Sequence, residues 1–127
     1  MNCKDLMVGD WVRFKENYPQ KELQGKIAKV KGVRGRIDVK TQDGEYYESE
    51  HPDWLEPIPL TEEILVKNGW RKEPVTIDID DDYAIWLGEI LISQDEDEFN
   101  YEDIELKYVH TMQHLLRLCG IEKELTI

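Results

Sequence analysis

His110 and His114 stand four residues apart, the spacing with which two histidines on one helix face can bind a zinc ion. The metalloprotease form of this pattern has Glu directly after the first His, where this chain has Thr111. A working zinc site also needs a third ligand, and Arg117, one turn after His114, would repel a cation. We therefore expect no metal ion at these histidines. A hydrogen bond from His110 that anchors its helix is a better interpretation than catalysis.

The residues around this pair have the apolar spacing of an amphipathic helix over residues 108–119, ended by Gly120. The stripe that is predicted to face the core consists of Val109, Met112, Leu116 and Cys119, with Tyr108 and Leu115 at its border. The stripe that is predicted to face solvent consists of His110, Gln113, His114 and Arg117. Because Cys119 is predicted to face the core, we do not expect it to act as a nucleophile.

Two acidic runs, at residues 78–82 and 95–98, could attract cations. Calcium loops need alternating oxygen ligands, a glycine at the bend and a distal bidentate Glu. The first run alternates over three positions and then continues into an apolar strand where the remaining ligands belong. We therefore expect both runs to be solvated hairpin tips, with no metal site. The second run is the predicted surface for a basic protein partner, and it consists of Asp95, Glu96, Asp97 and Glu98.

The common signatures of hydrolases and phosphate-binding enzymes are missing from the sequence. Ser49 and Ser93 are the only serines, and neither stands in a G-x-S-x-G motif. The glycines are scattered at turns and form no phosphate loop. We therefore predict a protein that is not an enzyme, with no catalytic residue and no cofactor. An enzyme or small-molecule-binding protein with an unrecognised pocket is kept as an alternative.

The net charge of −12 is distributed unevenly along the 127 residues. Residues 1–58 carry ten Lys and Arg and eleven Asp and Glu, a net charge of −1. Residues 59–127 carry six Lys and Arg and seventeen Asp and Glu, a net charge of −11. Acidic character at this level repels nucleic-acid backbones and anionic membranes. We therefore expect a protein partner and no membrane association, and the charge disfavours nucleic acid.

Residues 21–40 are locally basic, with seven Lys and Arg against Glu22 and Asp38. Our preferred interpretation is that these side chains are the solvent-facing sides of strands and pair with the acidic second half. The alternative is a nucleic-acid-binding module that combines the basic strands with nearby aromatic residues. Its aromatic residues would be Trp11, Phe14, Tyr46 and Tyr47. Its basic contacts would be Lys26, Lys29, Lys31, Arg34 and Arg36.

Residues 1–58 predict short strands separated by turns. Ile37 and Val39 alternate with charged neighbours, the period of a strand that is wet on one face. Asp43-Gly44 is a strong signal for a hairpin turn. Short strands at this density predict a Src-homology-3-like small β-barrel, closed so that no strand edge is left free.

Residues 59–127 predict an α+β module of antiparallel strands with one or two covering helices. Thr61 is the expected N-cap of its first helix, which Asn68-Gly69 ends. Strands are expected at 75–79 and 83–93, with further short strands near Ile104 and at 124–127. Trp86 is expected to share a core with the last helix. The whole chain is thus α+β and mainly β, and since its junction has no flexible linker, both modules should pack as one compact unit.

Two observations bear on the cell compartment. Cys3 and Cys119 lie far apart in sequence, so a disulfide framework is not indicated and reduced thiols are the default. No apolar run approaches the roughly 20 residues that span a bilayer, and residues 1–12 lack the apolar segment of a secretory signal. We therefore expect a cytoplasmic protein.

Three stretches carry a family resemblance. They are Y-V-H-T-M-Q-H-L with L-C-G-I-E-K-E-L-T-I at the end, E-P-I-P-L-T-E-E-I-L-V-K-N-G-W in the middle and L-M-V-G-D-W-V near the start. Together they resemble small uncharacterised phage and mobile-element proteins of Bacteroidetes, whose endings are approximately Y-V-H-x-L-Q-x-L followed by G-x-E-L. Met112 replaces the usual Leu of that pattern. The resemblance implies a shared origin and fold but carries over no catalytic residue. The expected role is a non-catalytic accessory or interaction protein of a phage or mobile element, which binds a basic host protein surface.

Overall fold

The computed structural model describes residues 1–74, 83–87, 90–95, 98–121 and 123–127. The chain divides into two compact units, unit 1 (Met1–Ile58) and unit 2 (Pro59–Ile127). Both are built mainly from antiparallel strands supplemented by helices, so the α+β, mainly β class is confirmed. No helix among the described residues is long and apolar enough to cross a membrane. The packing of the two units against each other stays a prediction.

Unit 1 contains five antiparallel strands, β1 (Trp11–Phe14), β2 (Ile27–Val33), β3 (Ile37–Thr41), β4 (Tyr46–Glu50) and β5 (Leu55–Pro57). They form one sheet in the order β4-β3-β2-β1-β5. The hairpin predicted at Asp43-Gly44 joins β3 to β4, and Gly44 has the positive φ that its turn requires. Short 3-10 helices span Cys3–Asp5, Lys21–Leu23 and Pro52–Trp54, and the last of these connects β4 to β5.

The closed barrel predicted for this unit is not found in the described residues. The sheet ends at β4 on one side and at β5 on the other, and these two strands do not pair. Ser49 gives a physical reason, because its positive φ of 57° turns the backbone of β4. Its N–H donates to the side chain of Asp38 on β3, the strand with which β4 already pairs. Unit 1 is therefore an open sheet.

The core of unit 1 follows from the alternation of side chains along each strand. Val12 and Phe14 on β1 are fully buried, while Trp11 and Arg13, which alternate with them, are partly exposed. The aromatic rings of the core meet edge to face, with Phe14 4.9 Å from Tyr18 between ring centroids. The buried cluster consists of Leu6, Val12, Phe14, Tyr18, Leu23, Ala28, Val30, Ile37, Val39 and Leu55.

A buried carboxylate, Asp38, braces the hairpin of β2 and β3. It accepts hydrogen bonds from the Ser49 N–H at 2.9 Å and from the Arg34 guanidinium at 2.8 Å. The Ser49 N–H, followed by Arg34, holds the pKa of Asp38 below its usual value against the opposing effect of burial. Any Cβ at Gly32 would lie 2.7 Å from the Asp38 Oδ2, so a larger residue at this position of β2 would displace the Asp38 carboxylate.

Unit 2 contains two helices, α1 (Glu62–Lys67) and α2 (Val109–Leu118). Its described strands are β6 (Arg71–Pro74), β7 (Tyr83–Leu87), β8 (Ile90–Asp95), β9 (Glu98–Tyr101) and β10 (Ile104–Glu105), in the order β10-β9-β8-β7-β6. Thr61 is the predicted N-cap of α1, and its hydroxyl accepts a hydrogen bond from the Ile64 N–H. Gly69, with a φ of 91°, ends the helix as predicted.

Other predictions for unit 2 need correction. The strand predicted at 75–79 and the side chain of Trp86 lie outside what the structure describes. The strand predicted at 124–127 is wrong, because that segment pairs with a side chain and not with another strand. Asn68 acts there like a peptide group, since its amide donates to the Thr126 carbonyl at 2.9 Å and accepts from the Thr126 N–H at 2.7 Å. Leu125 is buried beside this anchor.

Helix α2 is buried over a wider arc than its sequence predicts. Val109, Met112, Leu115 and Leu116 are buried as expected for the apolar side. His110 and Gln113 are also buried, each 8% exposed, so their assignment to the solvent-facing stripe was wrong. Cys119, predicted to face the core, is exposed because it follows the last helical residue and no longer continues the helical stripe.

Tyr18 makes the stability of unit 1 sensitive to pH in the alkaline range. Burial, together with the hydrogen bond to Glu50, raises the pKa of Tyr18 from 10.0 to about 12. The folded state thus holds the phenol proton more tightly than the unfolded chain does. The stabilisation is fully present below about pH 10 and is lost as the pH rises through about 12.

We expect Tyr18→Phe, which has no phenol proton, to remove this part of the alkaline dependence. The measurement is urea unfolding of the parent chain and the variant across this pH range, because their difference cancels the other titrating groups. The variant should be less stable near neutral pH, and the difference should shrink toward about pH 12. A difference that stays constant with pH would contradict the role of Tyr18.

Candidate functional site

The two histidines lie in a line of rings at the start of α2. The Tyr108 and His110 rings are stacked, with centroids 5.7 Å apart and planes 10° apart. The His114 ring meets His110 edge to face at 5.6 Å, and the Lys107 ammonium lies 5.6 Å from the Tyr108 ring centroid. In the part of the chain that the structure describes, no three His, Cys, Asp or Glu side chains form a group that could hold a metal ion. These rings contribute packing to the helix.

The predicted acidic surface at residues 95–98 is described only in part. Asp95 ends β8 and pairs with Glu98 at the start of β9. Glu96 and Asp97 lie outside the described residues, as does the side chain of Asp95, and Glu98 is exposed.

The next hairpin extends this acidic surface, which sequence reasoning missed. Glu102 and Asp103 form the turn between β9 and β10, and Glu105 follows on β10. All three are exposed, and neither they nor Glu98 form an ion pair with a described residue. We call residues 98–105 the acidic hairpin, because they include four carboxylates and no Lys or Arg. The signal was visible in the sequence as the spacing E-x-x-x-E-D-x-E.

The basic stretch of unit 1 divides into two groups. The Lys26 ammonium lies 3.1 Å from the Asp43 carboxylate, and Arg34 lies 2.8 Å from Asp38. The Arg36 guanidinium donates to the Ser49 carbonyl at 3.2 Å. Three of the five predicted contact residues are therefore held by partners within unit 1. Lys29 and Lys31 lie on β2, where the neighbouring Ala28 and Val30 are buried; Lys29 lies over the Trp11 ring, and Lys31 is exposed.

Strand register places Lys29 in a row that crosses four strands. Trp11 on β1 is opposite Lys29 on β2, Lys29 is opposite Lys40 on β3, and Lys40 is opposite Tyr46 on β4. We call these four residues, Trp11, Lys29, Lys40 and Tyr46, the outer row. Neighbouring strands lie about 4.8 Å apart, so the row extends over about 14 Å.

The outer row places two cations between two aromatic rings. The Lys29 ammonium lies 5.3 Å from the centroid of the Trp11 ring, within range of a cation–π interaction. Lys40 is exposed and forms no ion pair with a described residue, and Tyr46 is 50% exposed. Lysines directly opposite each other repel, and this repulsion destabilises the sheet. A bound anion would remove that repulsion, so the row is suited to an anionic ligand.

The structure also separates the aromatic residues that the sequence grouped together. Phe14 is fully buried and Tyr47 packs against the core, so neither is available on the outer face. Trp11 and Tyr46 are the members of that group in the row. Lys40 was counted in the basic stretch but not selected as a contact. The alternation of Lys40 with Val39 and Thr41 was visible in the sequence and indicated an outward-facing side chain. The register that aligns Lys40 with Lys29 could not be seen there.

Comparison of this chain with protein-family models, with curated proteins and with solved structures finds no match.

The like-charged pair of the outer row generates a stability prediction. Lys40→Glu places a carboxylate opposite Lys29, so repulsion is replaced by attraction. We expect the free energy of unfolding at low ionic strength to rise by roughly 0.2–1 kcal/mol. The gain should shrink as salt screens the pair. Urea unfolding measures the change in stability. The control is Lys21→Glu, which changes the net charge equally but lies outside the sheet. An equal gain in both variants would contradict the cross-strand explanation.

Proposed function

We propose that this protein is a non-catalytic interaction protein whose unit 1 binds an anionic partner on the outer row. The observation that carries the proposal is the register that aligns Lys29 with Lys40 between Trp11 and Tyr46. The lysines supply charge, and the rings at either end supply apolar area that a partner can cover.

The contrast with the other basic residues of unit 1 supports this choice. A carboxylate oxygen lies within 3.1 Å of a side-chain nitrogen in each of Lys26, Arg34 and Arg13. Lys40 has no such neighbour among the described residues, and neither has Lys31 on the same side of β2. An ordinary solvated face would not require two lysines to face each other across a strand pair. A cost of this kind is typical of a surface that is kept for binding.

We also propose a Src-homology-3-like architecture for unit 1. Support comes from the strand order β4-β3-β2-β1-β5, from the 3-10 helix between β4 and β5, and from the register shift that bends β2 between Val30 and Gly32. The phage or mobile-element origin is a proposal that rests on the family resemblance of the sequence. A cytoplasmic location is likewise proposed from cysteine usage and the lack of a long apolar run.

Charge reversal on the outer row tests the binding function. The probes are two labelled anionic ligands of about 12 units, an oligodeoxythymidine and a polyglutamate peptide. We expect Lys29→Glu with Lys40→Glu to weaken binding of at least one probe by tenfold or more, roughly 1.4 kcal/mol. This double variant keeps a like-charged pair but loses the Lys29–Trp11 cation–π contact, so urea unfolding must first establish that it is folded.

The matched control is Lys4→Glu with Lys21→Glu, two exposed lysines outside the strands whose reversal changes the net charge equally. It should weaken binding by about twofold or less, as screened long-range charge does. Equal losses in the two double variants would mean that only net charge matters, which would contradict the outer row as the site. A parent chain that binds neither probe at low salt would reject the function itself.

The acidic hairpin supports a second candidate function, the binding of a basic protein surface. Residues 98–105 expose four carboxylates, and Ile104 between them is 48% exposed. Exposed apolar area within a field of one sign of charge is a common feature of protein-binding surfaces.

A labelled oligolysine peptide is the probe for this second surface. We expect Glu98→Gln with Glu105→Gln to slow its association and to reduce the salt dependence of the rate. Both substitutions should leave the fold intact, because exposed carboxylates contribute little to stability. The control is Glu16→Gln with Glu48→Gln, an equal change in unit 1, and an equal effect of the control would reject the acidic hairpin as a specific surface.

A further inference from the structure

Resting on the proposed function, we infer that the anionic partner of unit 1 is a single-stranded nucleic acid that lies across the outer row. Proteins that bind single strands without sequence preference combine cations that contact the backbone with aromatic rings that stack on the bases. Lys29 and Lys40 supply the first element, and Trp11 and Tyr46 supply the second. Strand register brings all four residues to one face of the sheet.

The two rings favour a nucleic acid over an acidic protein. An acidic peptide would use the lysines, but its carboxylates have no planar surface to match Trp11 and Tyr46. Every nucleobase has a π-face that can stack on an aromatic side chain. The Tyr46 ring is half exposed, so a base can stack on it, while at the other end of the row the Lys29 ammonium lies over the Trp11 ring, where it can contact a phosphate.

The width of the row favours an unpaired strand over a duplex. In a duplex the bases stack on one another, and proteins reach only their edges through grooves, the wider of which measures about 12 Å. The outer row extends about 14 Å across four neighbouring strands of the sheet, from β1 to the edge strand β4, so this face is too broad to enter a groove. Unpaired bases, by contrast, can turn toward a flat face and stack on its rings.

The residue types in the row also define how the ligand is recognised. It contains no Arg, Asn, Gln, Asp or Glu, and its two lysines are assigned to the phosphate backbone and not to base edges, so binding should be tolerant of sequence. With two lysine contacts, the slope of log K against log salt should be about −1.4 for a single strand. The acidic excess of the chain is not in this unit, because residues 1–58 carry a net charge of only −1.

The experiment is fluorescence anisotropy of the full chain with a labelled oligodeoxythymidine of about 12 nucleotides, titrated at several salt concentrations. We expect Tyr46→Ala to weaken binding by about 5- to 100-fold without changing the salt slope, and Tyr46→Phe to keep the parent affinity because the stacking face is retained. Lys40→Gln should reduce the slope to about −0.7. Lys21→Gln, outside the row, should change neither quantity.

Parallel titrations with polyglutamate and with a duplex of equal length identify the class of partner. The inference is supported if the single strand binds more tightly than both and only its binding depends on Tyr46. If polyglutamate binds at least as tightly and Tyr46→Ala changes nothing, the nucleic acid is rejected while the binding function of the row stands. If the duplex binds as tightly as the single strand, the stacking mechanism is wrong. If no anion binds, both the inference and the proposed function fail.

Discussion

Cross-strand register is the constraint on which the rest of unit 1 depends. A shift of one residue along any strand would move its whole apolar set from the core to solvent. The register is held by irregularities, since the ladder shifts between Val30 and Gly32 on one strand pair and between Ile37 and Val39 on the next. Asp38 sits between these shifts and takes hydrogen bonds from Ser49 and Arg34. A buried carboxylate with two such donors tolerates only one arrangement of its neighbours.

The same register decides which basic side chains are available for binding. Lys26 and Arg34 are drawn to carboxylates of their own unit, so the expected pairing of the basic stretch with the acidic second half is not needed to explain them. Lys29 and Lys40 are instead aligned opposite each other and flanked by rings. Two of the seven Lys and Arg of residues 21–40, Lys26 and Arg34, are thus paired with carboxylates within unit 1.

Unit 2 buries several polar side chains in its interior. Asn68 holds the last residues through two hydrogen bonds to the backbone of Thr126. His110 and Gln113 are buried on α2, where the Tyr108 ring stacks on the imidazole. An i, i+4 histidine pair therefore serves packing here. Within the described part of the chain, no third His, Cys, Asp or Glu side chain joins the two histidines in a group that could hold a metal ion.

The sequence by itself determined the local features of this protein. The Thr61 cap, the Gly69 end of α1, the hairpin at Asp43-Gly44 and the alternation around Ile37 and Val39 depend only on residues a few positions apart, so they could be predicted. Only the tertiary structure decided which residues face each other over longer separations. It left the sheet open at β4, buried His110, exposed Cys119 and aligned Trp11 with Lys29, Lys40 and Tyr46. Register and burial arise from the packing of all strands at once, and no local spacing in the sequence carries that information.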